Sequence, residues 1–126
     1  MIKTTSYEIS KELKEIDFNV DTIFYYDSEN EECQIWHELP IKLESEFVKS
    51  FDLETILDAL PKSIDYGRFK NLGLRIYYEE CCYIGYEDSN GFLQDFTVNN
   101  KLSKSLESLA DTAARLLIQL IKDKIV

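Results

Sequence analysis

The residues able to carry catalytic or metal chemistry are few, and their spacing is uninformative. His37 is the single histidine of the chain. It lies in Gln34-Ile35-Trp36-His37-Glu38, a segment that reads as a strand. Neighbours in a strand point to opposite faces, so Glu38 cannot orient the His37 ring from the next position. The expectation is an ordinary strand histidine rather than the base of a dyad or triad. The cysteines number three, Cys33, Cys81 and Cys82, an odd count and a poor disulfide framework. Glu79 and Glu80 precede the vicinal pair, and their negative charge would raise a thiol pKa rather than lower it. The pair is expected to supply one core thiol and one surface thiol. No spacing suits zinc. The acidic run 27–32 has no glycine for the sharp central turn of a calcium loop, and Glu79, Glu80, Glu87 and Asp88 read likewise as solvated turns. Gly67, Gly73, Gly85 and Gly91 are isolated, so no phosphate-cradling loop is present. No metal and no cofactor is expected, and the balance leans away from an enzyme.

The aromatic residues are the stronger signal. Tyr25, Tyr26, Trp36, Tyr77, Tyr78, Tyr83 and Tyr86 all fall in segments that read as strands. Alternation sends some to the core and the others to the opposite face. On an antiparallel sheet covered by helices on one side, that face meets water or a partner. Two uses remain open: cross-strand pairs that stiffen the sheet, or contact with a partner, for which Tyr and Trp are favoured. Tyr25, Trp36, His37, Arg75, Tyr77, Tyr83 and Tyr86 are the residues expected to line such a surface.

The elements that must position them follow from periodicity. Ile9, Leu13 and Ile16 form one helical stripe over residues 6–16, and Thr5 with Glu8 fits a capping box. Residues 22–26 and 33–39 read as strands of a hairpin with an acidic tip, stopped by Pro40. Residues 41–50 are irregular, with room for a short edge strand. Leu53, Ile56, Leu57 and Leu60 place a helix over 51–60, capped by Asp52 and stopped by Pro61. Residues 62–71 read as a polar connection. Residues 72–98 predict a three-stranded antiparallel meander with turns at Glu79-Glu80 and Asp88-Ser89-Asn90-Gly91. Leu106, Leu109, Ala110, Ala113, Leu116, Leu117, Leu120 and Ile121 predict a C-terminal helix capped by Ser103 or Ser105. The expected fold is α+β. It has a single antiparallel sheet of about five strands, the order α-β-β-α-β-β-β-α, and helices packed on one face.

With 126 residues the chain suits one domain, 1–126. Lys+Arg 14 against Asp+Glu 24 leaves a formal charge of −10, which argues against non-specific nucleic-acid binding, because phosphate would be repelled. The opening residues lack an apolar signal-peptide core. The longest apolar run, near Leu116, is far short of the ~20 residues that span a bilayer. A cytoplasmic protein is expected.

The segments carrying this pattern resemble a family of short uncharacterised proteins encoded by phages and prophages of gut (Bacteroides-type) bacteria. The likeness lies in Glu8-Ile9-Ser10-Lys11-Glu12-Leu13-Lys14-Glu15-Ile16-Asp17-Phe18, in the helix over 51–61, in Leu74-Arg75-Ile76 with the Tyr-rich strand, and in the Ala-rich helix 109–118. Two positions depart from that family: Asp17 stands where glycine is usual, and Ala59 where tryptophan is common. The resemblance carries no activity and no functional residues. It implies a phage or mobile-element setting in the cytoplasm of a host bacterium. The leading expectation is a small acidic, non-enzymatic protein that binds a host protein with a basic surface, the concrete version being an anti-defence role. Two other classes stay open. One binds or cleaves a signalling nucleotide, with Arg68, Arg75 or Arg115 on phosphate. The other is a homo-oligomeric structural module, a homodimer in its simplest form.

Overall fold

The computed structural model describes residues 4–27, 33–35, 47–78, 81–88, 91–99 and 107–125. The order is α1 (Tyr7–Glu15), β1 (Phe24–Asp27), β2 (Cys33–Ile35), β3 (Phe47–Ser50), α2 (Leu53–Ala59), β4 (Ser63–Tyr66), β5 (Phe69–Tyr78), β6 (Cys82–Asp88), β7 (Gly91–Asn99) and α3 (Leu109–Lys122). The fold is α+β. Its strands form two antiparallel sheets rather than one: β2-β1-β3 and β4-β5-β6-β7.

Two features of the pairing account for the difference. The short strand β3 pairs with β1, from Phe24↔Ser50 to Asp27↔Phe47, and so completes a small sheet with the β1–β2 hairpin. The stretch expected to be a polar connection is instead a hairpin, in which β4 pairs with β5 through Ser63↔Gly73 and Ile64↔Leu72. Only Ile64 of β4 is buried, so this edge strand has almost no hydrophobic alternation to read. The meander over β5, β6 and β7 is as expected. The turn residues 79–80 and 89–90 lie outside the described residues, as do 28–32 and 36–46.

The core lies between the inner face of the larger sheet and the helices. Leu72, Ile84, Tyr86, Phe96 and Val98 from the sheet meet Ala113, Ala114, Leu116, Leu117 and Leu120 of α3, with Ile56 of α2 and Leu13 of α1. The alanines let the α3 backbone approach the sheet closely. Phe51 follows β3 into this core and takes the Phe18 ring edge-on, with centroids 5.0 Å apart. Cys81 and Cys82 are both buried, which corrects the expectation of one surface thiol. Cys81 precedes the start of β6, so strand alternation does not govern it.

The helix ends show what local chemistry specifies. Asp52 caps α2 as expected, accepting from Thr55 N–H at 2.9 Å. Ser6, not Thr5, caps α1, accepting from Ile9 N–H, and Ser108 caps α3 in place of Ser103 or Ser105. Thr5 is fully buried and has other work. Its amide donates to Phe51 O at 2.8 Å, its hydroxyl accepts from Phe51 N–H at 3.1 Å, and its carbonyl accepts from Ser50 Oγ and Tyr26 Oη. These bonds pin the start of α1 to the smaller sheet. Asp17 takes φ 61. Its N–H reaches Lys14 O while Phe18 N–H reaches Leu13 O, a Schellman ending whose left-handed position favours glycine.

Asp111 joins two helix starts. It lies in the first turn of α3 and is buried, and its Oδ1 accepts from Ser6 N–H at 2.7 Å. Burial pushes its carboxyl pKa up, and the nearby Glu107 adds to this. The bonds from Ser6 and the charge of Arg115 oppose it. A carboxyl whose folded pKa is raised adds stability below its unfolded pKa, and that contribution fades as pH climbs through the folded value. Asp111→Asn keeps the acceptor and removes the titration. The wild type should therefore lose stability relative to Asp111→Asn as pH rises across the acid range, and the variant should be at least as stable at neutral pH. Paired thermal melts from about pH 3 to about pH 7 check this. A wild type that gains on the variant with rising pH would refute it.

Candidate functional site

The outer face of the larger sheet gathers three of the residues expected on a contact surface, Arg75, Tyr77 and Tyr83. Register pairs Tyr77 with Tyr83, Arg75 with Gly85 and Gly73 with Glu87. Leu72 and Ile84 point into the core. Alternation therefore turns Gly73, Arg75 and Tyr77 of β5, with Tyr83, Gly85 and Glu87 of β6, to the other side. On the next strand Thr97 stands opposite Gly85 and Asn99 opposite Tyr83.

Glu87 is the hub. Tyr77 Oη donates to its Oε1 at 2.9 Å, and Arg75 Nε stands 3.6 Å from the same oxygen. Tyr77 and Glu87 are two rows apart on this face, and the β6 position between them is Gly85, which has no side chain to obstruct the ring. The Tyr77 pKa is raised, first because its proton is held by the Glu87 carboxylate and second by that carboxylate's charge. The phenol is thus a donor at neutral pH. The Arg75 guanidinium also donates from Nη1 to Leu74 O at 2.9 Å and lies against Gly73, where a Cβ would fall 3.2 Å from Nη1. Tyr77 is 45% exposed. The side chains of Arg75 and Glu87 are 59% and 19% exposed. The result is a shallow, partly aromatic surface with a fixed phenol, a carboxylate and a guanidinium.

Of the residues expected on a contact surface, Arg75, Tyr77 and Tyr83 come together here. Tyr25 is half-buried on β1 of the other sheet, its ring edge-on to Phe47 with centroids 6.4 Å apart. Tyr86 is a correction: it is 0% exposed and donates from Oη to Pro61 O at 2.6 Å. It points inward because Tyr83 and Tyr86 are an odd number of positions apart, and strand alternation separates them. Trp36 and His37 lie outside the described residues. Glu87 is the residue that sequence reading missed. It belongs to a strand rather than to the acidic turn, and the same-face spacing Tyr83, Gly85, Glu87 was the available signal.

The three arginines do not converge. Arg75 is on the outer face, and Arg68 is exposed at the β4–β5 turn over the Phe69 ring. Arg115 belongs to α3, on the opposite side of the sheet. It pairs with Glu107 and donates to Asn99 O. The concavity beside Arg115, about 300 Å³, is lined by Glu12, Ile118, Gln119, Lys122 and Asp123. Among the described residues it has no aromatic ring on which a base could stack. Among the described residues no group of His, Cys, Asp and Glu could hold a metal ion, and no helix is long and apolar enough to cross a membrane. No family model matches the chain, and no curated protein or solved structure matches it.

Proposed function

We propose that this chain is a small non-enzymatic binding protein that docks a basic partner protein on the outer face of its four-stranded sheet. The observation that carries the reading is the Tyr77–Glu87–Arg75 cluster beside Tyr83, in which Tyr77 and Arg75 are exposed. Tyrosine and arginine are the residue types that concentrate binding energy in interfaces. A surface rich in them, backed by a rigid sheet, loses little side-chain freedom on docking. The formal charge of −10 favours encounter with a positive surface and makes association sensitive to salt. The phage-like sequence pattern makes a host protein, and among those a defence protein, the partner we propose, in the cytoplasm of the host.

The test is capture from host lysate by the tagged chain, with and without Tyr77→Ser plus Tyr83→Ser. The wild type should retain one stoichiometric protein that leaves at high salt. The double variant should bind it at least about tenfold more weakly, while its thermal stability falls by only about 1 kcal/mol, the scale of one cross-strand pair. Retention unchanged in the double variant would sink the proposal. A nucleotide carried by the purified chain in place of any protein would shift the weight to the nucleotide reading.

A further inference from the structure

The geometry points to a masking role for Arg75: its guanidinium stands at Glu87 where an arginine or lysine of the docked partner would sit. The inference rests on the docking surface proposed above and specifies how that surface recognises charge. The Arg75–Glu87 contact has the marks of a provisional pair. Its Nε to Oε1 distance of 3.6 Å is beyond a good hydrogen bond. The Arg75 side chain is mostly in water whereas that of Glu87 is mostly covered, so solvent screens the cation far more than the anion. A pair this long, with its cation mostly in water, contributes little to stability, and displacing it costs little. Nη1 is occupied by the chain's own backbone at Leu74 O. The guanidinium lies over Gly73, its Nη1, Cζ and Nη2 standing 3.2, 3.6 and 3.7 Å from where a Cβ would be. Among the described residues no donor reaches Glu87 Oε2.

A partner's cation would find more. It could engage both carboxylate oxygens, the geometry that makes charge-assisted bonds strong. Tyr77 and Tyr83 would flank it and exclude water once the surfaces close. The opposite assignment, with Arg75 reaching out to an acidic partner, conflicts with the chain's charge of −10, which repels such a partner during encounter. Glu87 is therefore the recognition group, and Arg75 is a positioning residue that keeps it occupied until a cation displaces it.

A blocked tetra-arginine peptide, titrated into the full-length chain and followed by backbone amide NMR shifts, tests this at low salt and again at about 0.15 M. In the wild type the amides of Tyr77, Gly85 and Glu87 should shift. Arg75→Gln should tighten binding at those amides about threefold, and Glu87→Gln should weaken it by at least the same factor. Arg68→Gln makes the same change in net charge at the β4–β5 turn and should leave the sheet-face affinity unchanged. Gly73→Ala pushes the guanidinium off its seat without altering any charge and should also tighten binding. If the peptide shifts the sheet-face amides and Arg75→Gln weakens binding or leaves it unchanged, the mask is refuted while the docking surface stands. If the shifts appear only on Glu8, Glu12 and Glu15 of α1, or nowhere, the mask and the basic docking surface fall together.

Discussion

Tyr86→Ala should destabilise the protein by about 3–5 kcal/mol, the range for removing a large buried ring. That is a large share of the about 5–15 kcal/mol that holds a domain folded. Tyr86 heads the fully buried side chains of the core. It sits on β6 at the centre of the larger sheet, among residues of the cluster that α3 and α2 close from the other side. The loss combines the ring's transfer from water with the cavity left behind, because neighbours held on two sheet strands and a helix can collapse only in part. Tyr86→Phe separates the polar component. It keeps the ring and removes the donor to Pro61 O, a bond of 2.6 Å, leaving a carbonyl with a lost partner at a cost of about 1–2 kcal/mol. The Tyr86 pKa is raised by burial, so the phenol stays protonated and donates throughout the working pH range. Urea unfolding of the two variants checks both figures. A Tyr86→Ala protein within about 1 kcal/mol of wild type would show that the residue is not packed in the core.

Gly85→Ala should cost about 2–3 kcal/mol, although it adds a single methyl group. A Cβ at Gly85 would fall 2.4 Å from Thr97 Oγ1, 2.9 Å from Phe96 O and 2.9 Å from Thr97 Cα. The first of these can be relieved by turning a side chain. The other two are backbone atoms of the paired strand, and moving them means pulling β7 off β6. Removing the threonine should consequently rescue only part of the loss: Gly85→Ala with Thr97→Gly should remain clearly below Thr97→Gly alone. Gly73→Ala is the contrasting case. Its nearest neighbour is the far end of the Arg75 side chain at 3.2 Å, which can move, so the change should stay within about 0.5 kcal/mol. Thermal unfolding of the four variants decides it, and equal costs at the two glycines would overturn the steric argument.

The range of each interaction governs which features are legible along the chain and which arise only on folding. Asp52 before Leu53 and Pro61 after Leu60 bound α2, and Leu109 to Ile121 mark α3, because a helix satisfies its own backbone and its caps are within a few residues. The β5–β6–β7 meander was legible for a related reason: sequential hairpin strands pair with their neighbours, and their alternation is long enough to count. Pairing across distance was not legible. β3 joins β1 over a long connection, and β4 joins the larger sheet with Ile64 as its single buried residue, so neither the second sheet nor the fourth strand has a local signature. Thr5 looks like a helix cap in isolation, yet Ser50 and Phe51 claim it once β3 is in place. The proposed contact surface divides in the same way. The types and the period of its residues stand in the sequence: Tyr83 and Tyr86 must face opposite ways, and Tyr83, Gly85 and Glu87 must face the same way. Which of the two faces meets water was settled by α3, whose apolar side packs against β6 and β7 and leaves Arg75, Tyr77, Tyr83 and Glu87 on the other side.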